Sequence, residues 1–211
     1  MRQQAGAPPR GELVARALRL VTASVIFGTA SGTVSVITGL RGGSLGVLAV
    51  GLGVLADVAG SAVLIWRFRA ERRHPGSPRD REARAAAIVA AALAIVAVVL
   101  AAESAAALAA GSRPGSSAIT LASAAVSLAV LAPLATAKRR TGRLMGSRAL
   151  MGDGALSGIG AATSLLALVA LALNDTLGWW WADRATALAV AAIAAAEAWH
   201  TLPRPVSGPP G

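Results

Sequence analysis

Six long apolar stretches run along the chain, separated by short polar connections. They fall at about 18–40, 44–66, 85–111, 116–137, 150–173 and 183–201. A helix needs about 20 apolar residues to cross the hydrocarbon core of a bilayer, and each stretch comes to about that length. The pattern predicts an all-α membrane protein, a six-transmembrane-helix bundle over residues 13–201. The third stretch is long enough to tilt or to extend past the interface. The sixth is nearly all Ala, Val and Ile around Glu197. Residues 1–12, with Pro8 and Pro9, and the Pro/Gly-rich tail at 202–211 are expected to be disordered. One membrane domain with no soluble module attached is the expected organisation.

The polar connections differ in charge, and the difference alternates. Seventeen of the 20 Lys and Arg residues fall in the N-terminal tail, the 67–84 connection, the 138–149 connection and the C-terminal tail. Only Arg41, Arg113 and Arg184 fall on the other side. Short loops rich in Lys and Arg stay in the cytoplasm. The expectation is therefore a multi-pass protein of the plasma membrane with both termini cytoplasmic. The net charge of +10 becomes a topology device and a match to anionic inner-leaflet lipid. It does not mark a nucleic-acid protein, which needs a soluble basic face. The five tryptophans agree with this layout: Trp66 and Trp199 fall at predicted inner ends, and Trp179, Trp180 and Trp181 at an outer end. Indole rings prefer the headgroup level.

Composition narrows the chemistry. There is no cysteine, which removes disulfides and thiolate metal sites. The first apolar run is longer than a signal-peptide core and reads as a retained span. Small residues are dense within the spans. Gly28 and Gly32 form a GxxxG pair in span one, and Gly154 and Gly158 another in span five, flanked by Gly152 and Gly160. Such spacing lets helix backbones approach closely, whether within the bundle or across a homodimer seam. So much glycine on span five predicts a central helix, since a lipid-facing one would lose helix propensity for little gain.

Carboxylates at membrane depth are costly, by about 2.5–3.5 kcal/mol on insertion scales. Four occur: Asp57, Glu103, Asp153 and Glu197. Asp57 lies near the middle of span two with no charge within nine residues on either side. It reads either as an ion or proton site or as a structural Asp hydrogen-bonded to a nearby Ser or Thr. Glu103 sits in the outer half of span three. Asp153 is close to the start of span five, where a carboxylate favours the helix dipole, so a cap-like role is expected. Glu197 could reach the Arg-rich connections. His74 and His200 are solitary and make a weak metal pair. No phosphate loop, nucleophile–base set or hydrolytic carboxylate pair is present, and no enzyme is expected.

Three segments carry a family resemblance: LADVAGSAVLIWRFRAE at 55–71, AKRRTGRLMGSRALMGDG at 137–154, and LNDTLGWWWADRATALAVAAIAAAEAW at 173–199, with Glu103 in span three. Over roughly residues 14–200 the chain resembles the transmembrane domain of the cation diffusion facilitators, divalent-metal/proton exchangers, and is closest to short bacterial members described only as cation transporters. The resemblance implies a metal site at the bilayer middle, with two ligands four residues apart on span two and two on span five. Those positions fall here on Gly53 and Asp57, and on Leu156 and Gly160. Three of the four carry no ligand side chain. Asp153 matches an Asp that precedes the span-five ligand positions in the family. The soluble C-terminal domain of many members is not expected here.

The function that follows is an integral-membrane cation transporter, antiport-like, moving a divalent cation against a proton with a degenerate metal site at Asp57. Glu103, Asp153 and Ser157 are auxiliary polar candidates, and oxygen ligands would suit a harder cation than zinc. The alternatives are a non-transporting scaffold of the same fold and a small-molecule exporter using one membrane carboxylate. The expected partners are the lipid bilayer and a second copy of the chain.

Overall fold

The computed structural model describes residues 8–42, 45–73, 78–111, 118–177 and 182–203. The described residues form α-helices and no strand: α1 (Arg10–Gly42), α2 (Leu45–Arg73), α3 (Pro78–Ala109), α4 (Ala118–Met145), α5 (Arg148–Leu177) and α6 (Ala182–Thr201). Each helix covers one of the six apolar stretches. His74, Arg113 and the three tryptophans at 179–181 lie outside the described residues.

The helices overrun the apolar stretches at one end. α4 continues to Met145 rather than 137, α2 to Arg73 rather than 66, and α1 starts at Arg10 rather than 18. The arginine-rich segments are therefore mostly helix and not loop. Arg and Lys are good helix formers, so nothing in those runs stops a helix until Gly or Pro arrives. Pro78 opens α3 in the first turn, where a missing amide is harmless. Residues 10–12, expected to be disordered, are the first turn of α1. The Pro9 carbonyl accepts from the amides of Glu12 and Leu13 at 2.9 and 3.2 Å. Glu12 complements the helix dipole there.

The α4–α5 connection is only Gly146 and Ser147. Gly146 adopts φ +65°, the left-handed conformation that glycine reaches without strain. The Ser147 amide donates to Gly142 O and the Gly146 amide to Arg143 O, a Schellman closure of α4. Ser147 then caps α5: its Oγ accepts from the Leu150 amide at 3.1 Å and donates to Glu82 of α3 at 3.0 Å. Glu82 also accepts from the Ala149 amide at 3.0 Å. The cap of α5 is thus Ser147 supported by Glu82, not Asp153.

Neighbouring helices close a ring in the order α1, α2, α3, α6, α5, α4 and back to α1, while α5 also touches α2 and α3 across the middle. The glycine-rich helix is central, as its composition predicted. The GxxxG of α1 is used inside the bundle. A Cβ on Gly28 would fall 2.6 Å from Val58 Cγ2, and one on Gly32 would fall 3.1 Å from Leu55 Cδ2. These glycines let α1 lie directly on α2, so they give no support to a dimer seam.

Ion pairs tie the arginine-rich helix ends together. Arg10 of α1 pairs with Glu71 of α2 at 2.8 Å, and the buried Arg67 with Glu82 of α3 at 2.6 Å. The alternating arginine pattern therefore becomes a cluster at one end of the bundle. Every helix also exposes a large apolar side chain. Ile26, Trp66, Ile95, Val126, Val169 and Ile193 are exposed, one on each helix in turn. Stretches of α1 (Arg10–Val34) and α3 (Asp80–Ala109) are long and apolar enough to cross a membrane.

Candidate functional site

Lys138 sits on α4 and Asp153 on α5, on either side of the two-residue turn. A turn that short forces the helices antiparallel, which brings the two residues level. Glycine brings them close. A Cβ on Gly154 would fall 2.8 Å from Arg139 Cγ and 3.0 Å from the Arg139 backbone nitrogen, so the seam admits no side chain there. Leu131, Ala135 and Lys138 share the stripe of α4 that faces α5, at helical spacing: Leu131 lies over Gly160 and Ala135 over Gly158.

The two charges are in contact. Lys138 Nζ lies 2.6 Å from Asp153 Oδ2, and both side chains are 0% exposed. The approach to Oδ2 is too oblique for a hydrogen bond, so this contact is an ion pair. The ammonium directs its hydrogen bonds instead at Ser157 Oγ (3.0 Å) and Ser61 Oγ (3.4 Å). Ser61, on α2, donates to the other carboxylate oxygen of Asp153 at 2.6 Å. Ser157 in turn donates to the Asp153 carbonyl at 3.4 Å. Five polar groups from three helices thus meet in the bundle interior, the fifth being Asp57.

Asp57 stands one turn before Ser61 on the same face of α2. It lies within electrostatic reach of both Asp153 and Lys138. Its Oδ1 is buried and has no hydrogen-bond partner among the described residues. The cluster therefore holds two carboxylates and one ammonium. With all three ionised, it carries one more negative than positive charge in a water-poor interior.

The expected site residues divide accordingly. Asp57, Asp153 and Ser157 come together. Asp153, expected to act as a helix cap, is instead half of a fully buried ion pair, because the α4–α5 turn delivers a cation to it. Glu103 does not join them. The Gly60 position, on α2 beside Ser61, lies against Val89 and Ala92 of α3. Glu103 is therefore about 16 Å further along that helix, at 1.5 Å per residue. Two of the positions singled out by the resemblance are packing positions: Leu156 fills the space at Gly60, and Gly160 receives Leu131. Among the described residues, no three His, Asp or Glu side chains gather as metal ligands. Glu197 does reach an arginine, pairing with Arg139 at 2.6 Å.

Lys138 is the member that sequence reasoning placed in a cytoplasmic connection. A signal was available. It is the single lysine among the chain's 20 Lys and Arg residues. Lysine tolerates burial and changes of protonation in a way arginine does not.

The chain matches no protein-family model and no curated protein.

Proposed function

We propose that the chain is an integral-membrane, proton-coupled cation transporter whose coupling centre is the Asp57–Lys138–Asp153 cluster. The observation that carries this reading is the charge imbalance: two carboxylates share one ammonium inside the bundle. Burying an uncompensated charge is costly, so the cluster favours one further positive charge, either a proton or a cation from the transported pool. Lys138 acts as a tethered cation that competes for the same oxygens. A proton on Asp57 and an ion beside it are then alternative ways of balancing the centre. Serine hydroxyls and carboxylates are hard oxygen ligands, which suits a hard cation better than zinc. The exposed apolar side chains on every helix support lipid around the bundle, and the resemblance of residues 14–200 to cation diffusion facilitators supports exchange against protons.

Reconstitution into proteoliposomes with a trapped pH-sensitive dye tests the reading. Asp57→Asn keeps the shape and removes the charge, and it is expected to abolish cation-driven proton flux while the protein still inserts. Flux equal to that of the parent chain refutes the proposal.

A non-transporting scaffold of the same fold is the second reading. It is favoured by the completeness of the Lys138–Asp153 pair and by Leu156 and Gly160 serving as packing positions. It requires that the parent chain carry no flux for any cation tried and bind none saturably by calorimetry.

A further inference from the structure

At the arginine-rich end of the bundle, α4, α5 and α6 line a half-open cavity of about 180 Å³. For scale, a cavity of ~150 Å³ accepts a benzene ring. Arg139, Arg143, Arg148, His200, Thr201 and Glu197 line it. The one carboxylate on its wall, Glu197, is already taken by Arg139 at 2.6 Å. Arg143 and Arg148 have no hydrogen-bond or ion-pair partner among the described residues, so two guanidinium groups face the cavity uncompensated. Nor is this simply a helix N-terminus. The Ala149 and Leu150 amides of α5 are already bonded to Glu82 and Ser147. The nearest other carboxylate on α5, Asp153, is turned inward to Lys138.

The depth of the cavity follows from its neighbours. Trp199, adjacent to His200 in the last turn of α6, is 72% exposed, and Leu144 and Leu202 are exposed beside Arg143 and Thr201. An exposed indole flanked by apolar residues marks the headgroup level of a bilayer. Arginine forks match phosphate oxygens in pairs, and a hydroxyl and an imidazole add single hydrogen bonds.

We propose that this cavity is a binding site for a phosphate group at the membrane surface, held by Arg143 and Arg148 with Thr201 and His200. The phosphate comes either from the headgroup of an anionic lipid or from free phosphate in solution. The site is separate from the coupling centre; its place at the membrane surface rests on the membrane reading proposed above, and its test does not depend on transport.

The full chain is purified in detergent and titrated with phosphatidylglycerol, phosphatidylcholine and inorganic phosphate. Bound lipid is counted by native mass spectrometry, and phosphate is followed by calorimetry. The expected result is saturable retention of phosphatidylglycerol over phosphatidylcholine. It should weaken about tenfold or more in R143Q/R148Q, since two charged forks that hydrogen-bond phosphate oxygens are lost. R140Q removes an exposed arginine of the same helix outside the cavity and is expected to change binding little. Both arginines replaced in the test variant are exposed, so a monodisperse, folded protein is expected. Saturable phosphate binding with the same variant sensitivity, and no preference for phosphatidylglycerol, would assign the site to a soluble anion. Absence of both binding events overturns the proposal. So does a loss in R140Q as large as in the double variant, because attraction would then be spread over the basic surface.

Discussion

Lys138→Met is the sharpest test of the buried cluster. Methionine approximates the length and volume of the lysine stem and removes the ammonium. The Asp153 carboxylate then keeps only the Ser61 hydroxyl, and the Asp57 carboxylate on α2 loses its nearby cation. Two unit charges about 4 Å apart attract by about 4 kcal/mol at an effective dielectric constant of ~20. Removing one partner of a buried pair costs about 3–5 kcal/mol, because the other charge is left uncompensated. The full penalty applies here, since both side chains are 0% exposed. At about 2–4 °C per kcal/mol for a chain of this length, Tm should fall by roughly 6–20 °C. The assay is thermal unfolding in detergent, followed by size-exclusion recovery. Asp153→Asn should cost a similar amount by stranding the ammonium. The Lys138→Met/Asp153→Asn double variant should recover most of the loss, with a coupling energy of about 2 kcal/mol or more. A Tm within about 2 °C of the parent for Lys138→Met alone, less than one kcal/mol by the same conversion, would refute the buried pair.

Other outcomes follow from the same geometry. Asp57→Asn should leave the protein equally stable or more so in the same melt, because it removes the uncompensated carboxylate; a clear loss of Tm would show that Asp57 is structural. Gly154→Ala should destabilise by about 1–3 kcal/mol, since its methyl group would meet the Arg139 backbone at 3.0 Å. Gly158→Ala makes only an ordinary 3.7 Å contact with Ala135, and its gain in helix propensity of up to about 1 kcal/mol should leave it neutral or stabilising. The two alanine variants compared by thermal melt check the α4–α5 seam. Ser147→Ala should cost about 0.5–2 kcal/mol through loss of the cap, and Glu82→Gln should cost more, since it also takes the 2.6 Å partner from the buried Arg67; equal stability of Ser147→Ala and the parent would contradict the capping arrangement.

Much of the architecture was already present in the order of residues. Six long runs of apolar residues pointed to helices, because a helix satisfies its backbone groups within one segment. Glycine density on the fifth run signalled a helix pressed from several sides, and Asp57 was conspicuous by isolation alone. The lone lysine was visible too, but as part of a basic run it carried the meaning of its neighbours. Spacing within one chain segment cannot say which face of a helix turns inward, and Lys138, Arg139 and Arg140 point three different ways. The first is buried against Asp153, the second pairs with Glu197, and the third is exposed.

Helix content, the central place of α5 and the segregation of arginine are thus properties of the sequence, set by periodicity and by the cost of exposing apolar surface. Partner choice belongs to tertiary structure. Gly146 and Ser147 turn the chain in two residues, Gly154 lets the helices touch, and only then does a cation from α4 face a carboxylate from α5 with Asp57 of α2 alongside. Electrostatic interaction depends on distance and desolvation, and neither exists until the helices have packed.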